Sequence, residues 1–349
     1  MTNTGYQQLE YRLQFLTPAF IGNAEQSAQW RTPPIKALLR QWWRVVVAAE
    51  LNYDVREIHK REGELFGVAG DAKNSRKSQV RIRLEHWNAG RLGKQGWEKI
   101  GNVKHPEVRF PVGADLYLGY GPLAYNKHSK SAEIKNNAAI QAGENSVLRL
   151  ACPERYTDEL EAAIRLIELY GTVGGRSRNG WGSLELLPIS KENTNQSIAL
   201  NNVSRNWKDA LGLDWPHALG RDQKLLVWVT KPCKNWQAVM QQLAQIKIDV
   251  RTMFKFNSGR NAGRPEDRHW LSYPVTNHSV SAWGNDFRLP NSLRFKVRKN
   301  DKGDLIGVIY HMPCKPPKKF KPDTAVLHAV WQQVHSFLDS DQRLTRLAD

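Results

Sequence analysis

The sequence predicts an α+β chain made of two βαββαβ layers with long insertions between their elements. Three observations lead there. Short segments with strict apolar alternation recur along the chain, as in Leu9, Tyr11, Leu13 and Phe15, the mark of half-buried strands. Amphipathic helical stretches fall between them in the order strand, helix, strands, helix, strand. A polar, turn-rich stretch at residues 188–202 separates two rounds of this order and reads as a linker. At 349 residues the chain is long for one core, and two domains are expected, over residues 1–190 and 200–349.

The first strand ends at Thr17-Pro18, and a polar loop leads into a helix at residues 32–50. Thr32 suits its N-cap, and Pro33 and Pro34 suit its first turn. Leu38, Trp42, Val45, Val46 and Ala49 form its apolar face, while Lys36, Arg40 and Arg44 recur every fourth residue on another. Trp43 lies beside that basic stripe. Residues 64–67 read as a tight turn with Phe66 in the core. Residues 79–85 alternate, with Val80, Ile82 and Leu84 inward and Arg81 and Arg83 outward. Residues 86–114 read as an insertion, residues 115–120 as a strand, and residues 125–145 as a mobile surface loop. A strand at 146–152 and a helix from Pro153 to about Tyr170 follow, then a glycine-rich loop and a strand at 181–187. The first round is therefore ferredoxin-like, or RRM-like.

The second round opens with a strand at 224–230 and a helix from Trp236 to about Met253. Arg251, Lys255, Arg260, Arg264 and Arg268 line a segment that Gly259, Gly263 and Pro265 keep from being one helix. Phe254, Phe256, Trp270 and Tyr273 interleave with these cations. Residues 293–298 and 305–310 read as a hairpin. Residues 315–322 form a basic, proline-stiffened loop. A helix at 323–339 closes the chain, with Val326, Val330, Val334 and Phe337 inward. This is a second, degenerate ferredoxin-like domain, with no clear internal sequence repeat.

The chain carries 51 Lys+Arg against 34 Asp+Glu, a net charge of +17. Residues 1–190 hold a net +6 and residues 191–349 a net +11, so the excess is no basic tail. Such a field favours a polyanion, with nucleic acid the commonest, and 13 tryptophans offer rings for cores or for stacking on bases. No apolar run is long enough to span a membrane. Cys152, Cys233 and Cys314 form no metal-ligand pair or disulfide framework. With no signal peptide read at its start, a reducing cytoplasm is the expected compartment.

Two stretches are candidates for binding. On the helix, Lys36, Arg40 and Arg44 form a phosphate-tracking face with Trp43 as a stacking ring, or else a solvated helix side with a core tryptophan. In the loop, Gly171, Gly174, Gly175, Gly180 and Gly182 surround Arg176, Ser177, Arg178 and Asn179. Open backbone N–H groups, two guanidiniums and a hydroxyl suit a phosphate cradle, and a plain glycine turn is the alternative. No Gly-Lys-Ser/Thr follows, so it is no P-loop, and it opens a strand, so it is no dinucleotide fingerprint.

Together, residues 16–22, 31–44, 65–67 and 174–183 resemble the RAMP superfamily of CRISPR-associated proteins, and within it the first subunits of the Cmr, or type III-B, effector complex. The resemblance spans residues 9–187; beyond 200 it rests on domain order. It implies two ferredoxin-like domains, RNA binding without intrinsic catalysis, and contact with the 3′ end of the guide RNA and the paired target beside other RAMP subunits. It implies a contact role for Arg176 and Arg178 and for Lys36, Arg40 and Arg44; Trp43, Gly174, Gly175, Ser177 and Asn179 complete the expected RNA-binding set. No cofactor or metal is expected; His311 and Cys314 lack two further ligands.

An endoribonuclease acting on guide or target RNA is the alternative, since some relatives use a histidine base and others a loop aspartate. Asp71 is a candidate for such an aspartate. No histidine here has a sequence partner that would set its tautomer, and His328 and His335 suit packing or surface. An adaptor for acidic proteins is a third reading.

Overall fold

Each half of the chain builds a four-stranded sheet with helices between its strands. The computed structural model describes residues 5–70, 75–135, 138–189, 200–284 and 286–347. It divides into a first unit, Met1–Lys99, Gly119–Val203 and Lys296–Arg298, and a second, Ile100–Leu118, Ser204–Phe295 and Lys299–Asp349. The segment Ile100–Leu118, expected in the first domain, thus belongs with the second unit. Residues 190–199, most of the expected linker, lie outside the described residues.

In the first unit, β1 (Tyr6–Phe15) buries Leu9, Tyr11, Leu13 and Phe15, as its alternation requires. Next come α1 (Thr32–Ala48), α2 (Val55–Phe66) and β2 (Arg81–Leu84). A hairpin of β3 (Leu123–Asn126) and β4 (Ser131–Ile134) precedes β5 (Asn145–Pro153), α3 (Thr157–Tyr170) and β6 (Leu184–Pro188). The main sheet runs β6-β1-β5-β2, with antiparallel neighbours throughout. Leu13 sits opposite Leu186, and Leu9 opposite Leu150, so one face is a continuous apolar layer. Helices α1 and α3 pack together, with Trp42 stacked on Tyr170 at 5.9 Å.

Four local expectations are corrected. The N-cap of α1 is Arg31, without a side-chain cap, and Thr32 is already helical. Residues 64–67 close α2, which ends at Gly67 with φ 85°. Half of this helix is charged, including the buried Glu62, which masks its apolar face in the sequence, and Asp54 caps it by accepting from the Arg56 and Glu57 N–H groups. Residues Ala114–Gly119 are helical, not a strand; over six residues the two periods cannot be told apart, and Asp115 accepts the Leu116 N–H at the helix start. The expected mobile loop at 125–145 contains the β3–β4 turn, where Asn126 Oδ1 accepts from the His128 and Ser129 N–H groups.

The second unit's elements are β7 (Val227–Thr230), α4 (Trp236–Thr252), β8 (Leu293–Lys299, whose residues Lys296–Arg298 group with the first unit), β9 (Leu305–His311), α5 (Thr324–Ser340) and β10 (Leu344–Arg346). Its sheet runs β8-β9-β7-β10. Numbered within each unit, both sheets have the order 4-1-3-2. Along α5, Val330 and Val334 are buried as expected. Val326 and Phe337 are only half-buried, and Leu327, Trp331 and Leu338 complete the inner face. No helix among the described residues is long and apolar enough to cross a membrane.

Histidines fill part of this second core. His311 Nδ1 lies 2.9 Å from His335 Nε2, and His311 Nε2 lies 2.9 Å from Ser292 Oγ. Trp331 stacks on His311 at 4.0 Å. Burial pushes His335 down to about 3, His217 down to about 4, and His311 well below the ordinary value. These rings are neutral in the folded state, whereas the unfolded chain takes up protons near pH 6.5. Stability is therefore complete above about pH 6.5 and falls between there and about pH 4, by up to about 1.4 kcal/mol per pH unit for each histidine. Denaturant unfolding at pH 7 and pH 5 should show the loss, and His335→Phe should flatten it; equal stability at both pH values would refute it.

Candidate nucleic-acid interface

The glycine-rich loop, residues 171–183, joins α3 to β6 and lies over residues 16–22, which leave β1. The Gly175 N–H donates to Phe20 O and the Gly182 N–H to Pro18 O, both at 2.9 Å. Thr17 Oγ1 and Ser183 Oγ both donate to Gly180 O at 2.8 Å. Close backbone approach, within the loop at Gly182 and onto residues 16–22 at Gly174, leaves no room for a side chain at either glycine. A Cβ at Gly182 (φ +64°) would lie 1.9 Å from Val173 O, and one at Gly174 (φ +98°) 2.8 Å from Phe20 O.

This corrects the expected cradle of open backbone N–H groups. Those of Gly175, Asn179, Gly180 and Gly182 already donate to carbonyls of the chain itself. The loop instead presents side chains: Arg176 and Arg178 are exposed, and Ser177 and Asn179 are half-buried. Arg176 is left-handed, with φ 57°, and its Nε donates to Tyr120 O at 2.6 Å. Tyr120 is itself 68% exposed. Beneath lie Phe20, Trp97 and Trp181, with ring centroids 5.4–6.3 Å apart. Tyr120 was missed because no local spacing ties residue 120 to residue 176.

Lys296, also overlooked in the sequence, fixes the ends of the loop. Its Nζ is fully buried and donates to Ile167 O (2.9 Å), Gly171 O (2.7 Å) and Leu184 O (2.9 Å). The next residue, Val297, donates its N–H to Ser183 Oγ at 2.8 Å. Burial pushes the Lys296 pKa well down. Three carbonyls, two of them at the C-terminal end of α3, hold the ammonium against that.

The stripe on α1 has a different task. Glu62 of α2, only 2% exposed, accepts from Arg40 Nε at 2.7 Å and from Arg44 Nε and Nη2 at 2.8 and 2.7 Å. Burial alone would raise the Glu62 pKa; hydrogen bonds from Arg44 and Arg40 reverse that and hold it below the usual carboxylate value. Lys36 Nζ donates to Phe66 O at 3.1 Å, at the end of α2. The stripe thus turns to α2, and the expected open phosphate track is corrected, although Arg40 and Arg44 keep 37% and 39% of their side-chain surface.

Trp43 is corrected too. It is 0% exposed, meets Phe66 edge-on at 5.6 Å, and donates from Nε1 to Glu159 at 2.7 Å, so it cannot stack on a base. The two basic groups therefore have different partners: α2 for the helix stripe and Tyr120 for Arg176. Asp71 lies outside the described residues. His335 packs in the second unit's core, as its helical position suggested.

An antiparallel βαββαβ unit with a glycine loop presenting arginines defines the class. The chain belongs to the RAMP superfamily, whose sequence profile matches residues 12–185. It is similar to the CRISPR system Cmr subunit Cmr1-2 of Pyrococcus furiosus, with 23% identity over 182 residues, covering 50% of this chain and 93% of that protein. Among solved structures it is similar to apo Cmr1 from Pyrococcus furiosus, with 16% identity, 97% and 98% of the two chains covered, and a TM-score of 0.47. It is also similar to a chain of the type III-B Cmr-beta complex bound to cognate target RNA, with 13% identity, 94% and 99% covered, and a TM-score of 0.46.

Lys296→Met should lower unfolding stability by about 3 kcal/mol, because three buried carbonyls lose a charged donor. Denaturant titration checks this, and an unshifted midpoint would mean the ammonium does not hold the loop. Glu62→Gln should cost about 1–3 kcal/mol, with the half-exposed arginines keeping it towards the lower end; the same titration measures it.

Proposed function

We propose that this chain is a non-catalytic RNA-binding subunit of a type III, Cmr-type CRISPR effector complex. In this reading it works in the cytoplasm beside other RAMP subunits and contacts the 3′ region of the guide RNA and the paired target RNA. Each unit is then a ferredoxin-like domain, the second degenerate, a reading supported by their shared strand order. The similarity to a Cmr subunit supports the assembly.

The observation that carries the RNA-binding part is the presentation of Arg176 and Arg178. The loop backbone is tied to residues 17–20 and its ends are held by Lys296, so the guanidiniums project from a rigid base. Arg176 adopts a left-handed backbone that costs a non-glycine residue about 1–2 kcal/mol, and such strain is characteristic of functional positions. Guanidinium forks suit phosphate oxygens, and the exposed Tyr120 ring alongside suits a base. Gly174 and Gly175 let the loop lie flat on Phe20, while Ser177 and Asn179 supply further polar groups. Lys36, Arg40 and Arg44 enter this function by bracing α1 against α2, with their remaining exposed surface as a secondary contact.

Arg176→Ala/Arg178→Ala should weaken binding of a guide-like single-stranded RNA about tenfold near 0.1 M salt. The slope of log affinity against log salt should fall by about 1.4, two cations at about 0.7 each. Fluorescence anisotropy across a salt series measures both. Affinity and slope equal to those of the parent protein would remove the loop from the interface. Discrete cleavage of the RNA by the protein alone would overturn the non-catalytic assignment.

A further inference from the structure

Two sets among the second unit's cations contrast, while others, such as Lys231, Lys234 and Lys302, are exposed on other loops. One is matched by carboxylates: Arg268 to Glu107, Arg343 to Asp249 and Asp341, and Arg346 to Asp222 and Asp339. The other sits on two loops. Lys255, Arg260 and Arg264 lie on the segment after α4, and Lys318 and Lys321 lie on residues 315–322. All five are exposed, and none forms an ion pair among the described residues. The adjacent Glu266 does not balance them, because it accepts from the Asn257 N–H at 2.7 Å, the Ser258 N–H at 3.2 Å and Ser258 Oγ. Asp267 is exposed and makes no ion pair with them.

A chain of rings joins the two loops. Phe256 stacks on His278 at 3.9 Å and meets His269 at 4.8 Å. His269 meets Trp283 at 6.1 Å, and Trp283 meets Phe320 at 4.9 Å. Phe320, on the second loop, therefore shares a scaffold with Phe256, on the first. Lys319 is drawn onto this scaffold, with Nζ 4.5 Å above Phe287.

Gly259 and Gly263 add an independent observation. Neither has a positive φ, and a Cβ on either would meet nothing within 4 Å. The fold does not require glycine there, unlike at Gly174 or Gly182. Bare backbone beside Lys255, Arg260 and Arg264 leaves room for a strand to approach closely.

We propose that the second unit carries its own docking face for the sugar-phosphate backbone of single-stranded RNA, formed by residues 255–264 and 315–322. An acidic protein partner fits less well. Protein interfaces centre on exposed aromatic or aliphatic anchors. Here Trp270, Tyr273, Trp283 and Phe320 are buried, and no large exposed apolar side chain lies on either loop. Charge without apolar anchors positions phosphates and does not read bases. The inference does not rest on the glycine loop of the first unit.

The test uses the full chain, a fluorescein-labelled 20-nucleotide oligouridylate, and salt from 50 to 300 mM. Arg260→Gln/Arg264→Gln/Lys318→Gln should bind about tenfold more weakly near 0.1 M salt, with the salt slope reduced by about 2, three cations at about 0.7. The melting temperature should not move, since these side chains hold nothing in the fold. Added to Arg176→Ala/Arg178→Ala, the triple change should lower the slope further, which separates the two faces. Unchanged affinity and slope would overturn the proposal, whatever the first-unit variant does. So would a triple variant that loses binding to poly-glutamate while RNA binding persists, because the face would then serve an acidic protein.

Discussion

One buried ammonium organises the surface that this protein presents. Lys296 reaches the carbonyls of Ile167, Gly171 and Leu184, at the end of α3 and on either side of the glycine loop. Those acceptors belong to buried residues, where an unsatisfied carbonyl is expensive, and Ile167 O also accepts the Gly171 N–H. A single lysine meets them because an ammonium has three donors on a long stem. With both ends fixed and its glycines pressed onto residues 18–20, the loop has little freedom except in its side chains. Its arginines are thus pre-organised, which lowers the ordering cost of binding.

The same electrostatic logic sorts the rest of the basic residues. A buried carboxylate must find cations, and Glu62 takes Arg40 and Arg44. Arg61 is drawn to Glu50 and Glu159. A net charge of +17 therefore says that some cations are left over without saying which. Some of the leftover ones sit on loops, where a neighbouring carboxylate is occupied by backbone N–H groups, as Glu266 is.

Much of the fold was legible. The alternation in β1 named the buried Leu9, Tyr11, Leu13 and Phe15, and the helical period located α1, α3, α4 and α5. The misses have physical causes. Helix α2 is held by Asp54 and by a buried stripe of Ile58, Glu62, Leu65 and Phe66, which a carboxylate at its centre disguises in the sequence. The helix at Ala114–Gly119 is too short for its period to register. The candidate site was legible only in part. The spacing of Lys36, Arg40 and Arg44 correctly put them on one helix face, but a helix face has no sign of its own; α2 made it an interior one. Trp43 has the composition of a stacking ring and the burial of a core residue.

The sequence by itself determined the main alternation of strands and helices in both units, without α2 or the β3–β4 hairpin, together with the basic excess and the glycine loop bearing Arg176 and Arg178. These depend on local periodicity, composition and backbone sterics, which act over a few residues. Only tertiary structure decided that Arg40 and Arg44 meet Glu62, that Arg176 rests on Tyr120, and that Lys296 closes the loop. Those pairings span 18 to 129 residues. Short-range pattern carries no trace of such distances, because a charge's partner is chosen by which surfaces folding brings out of water together.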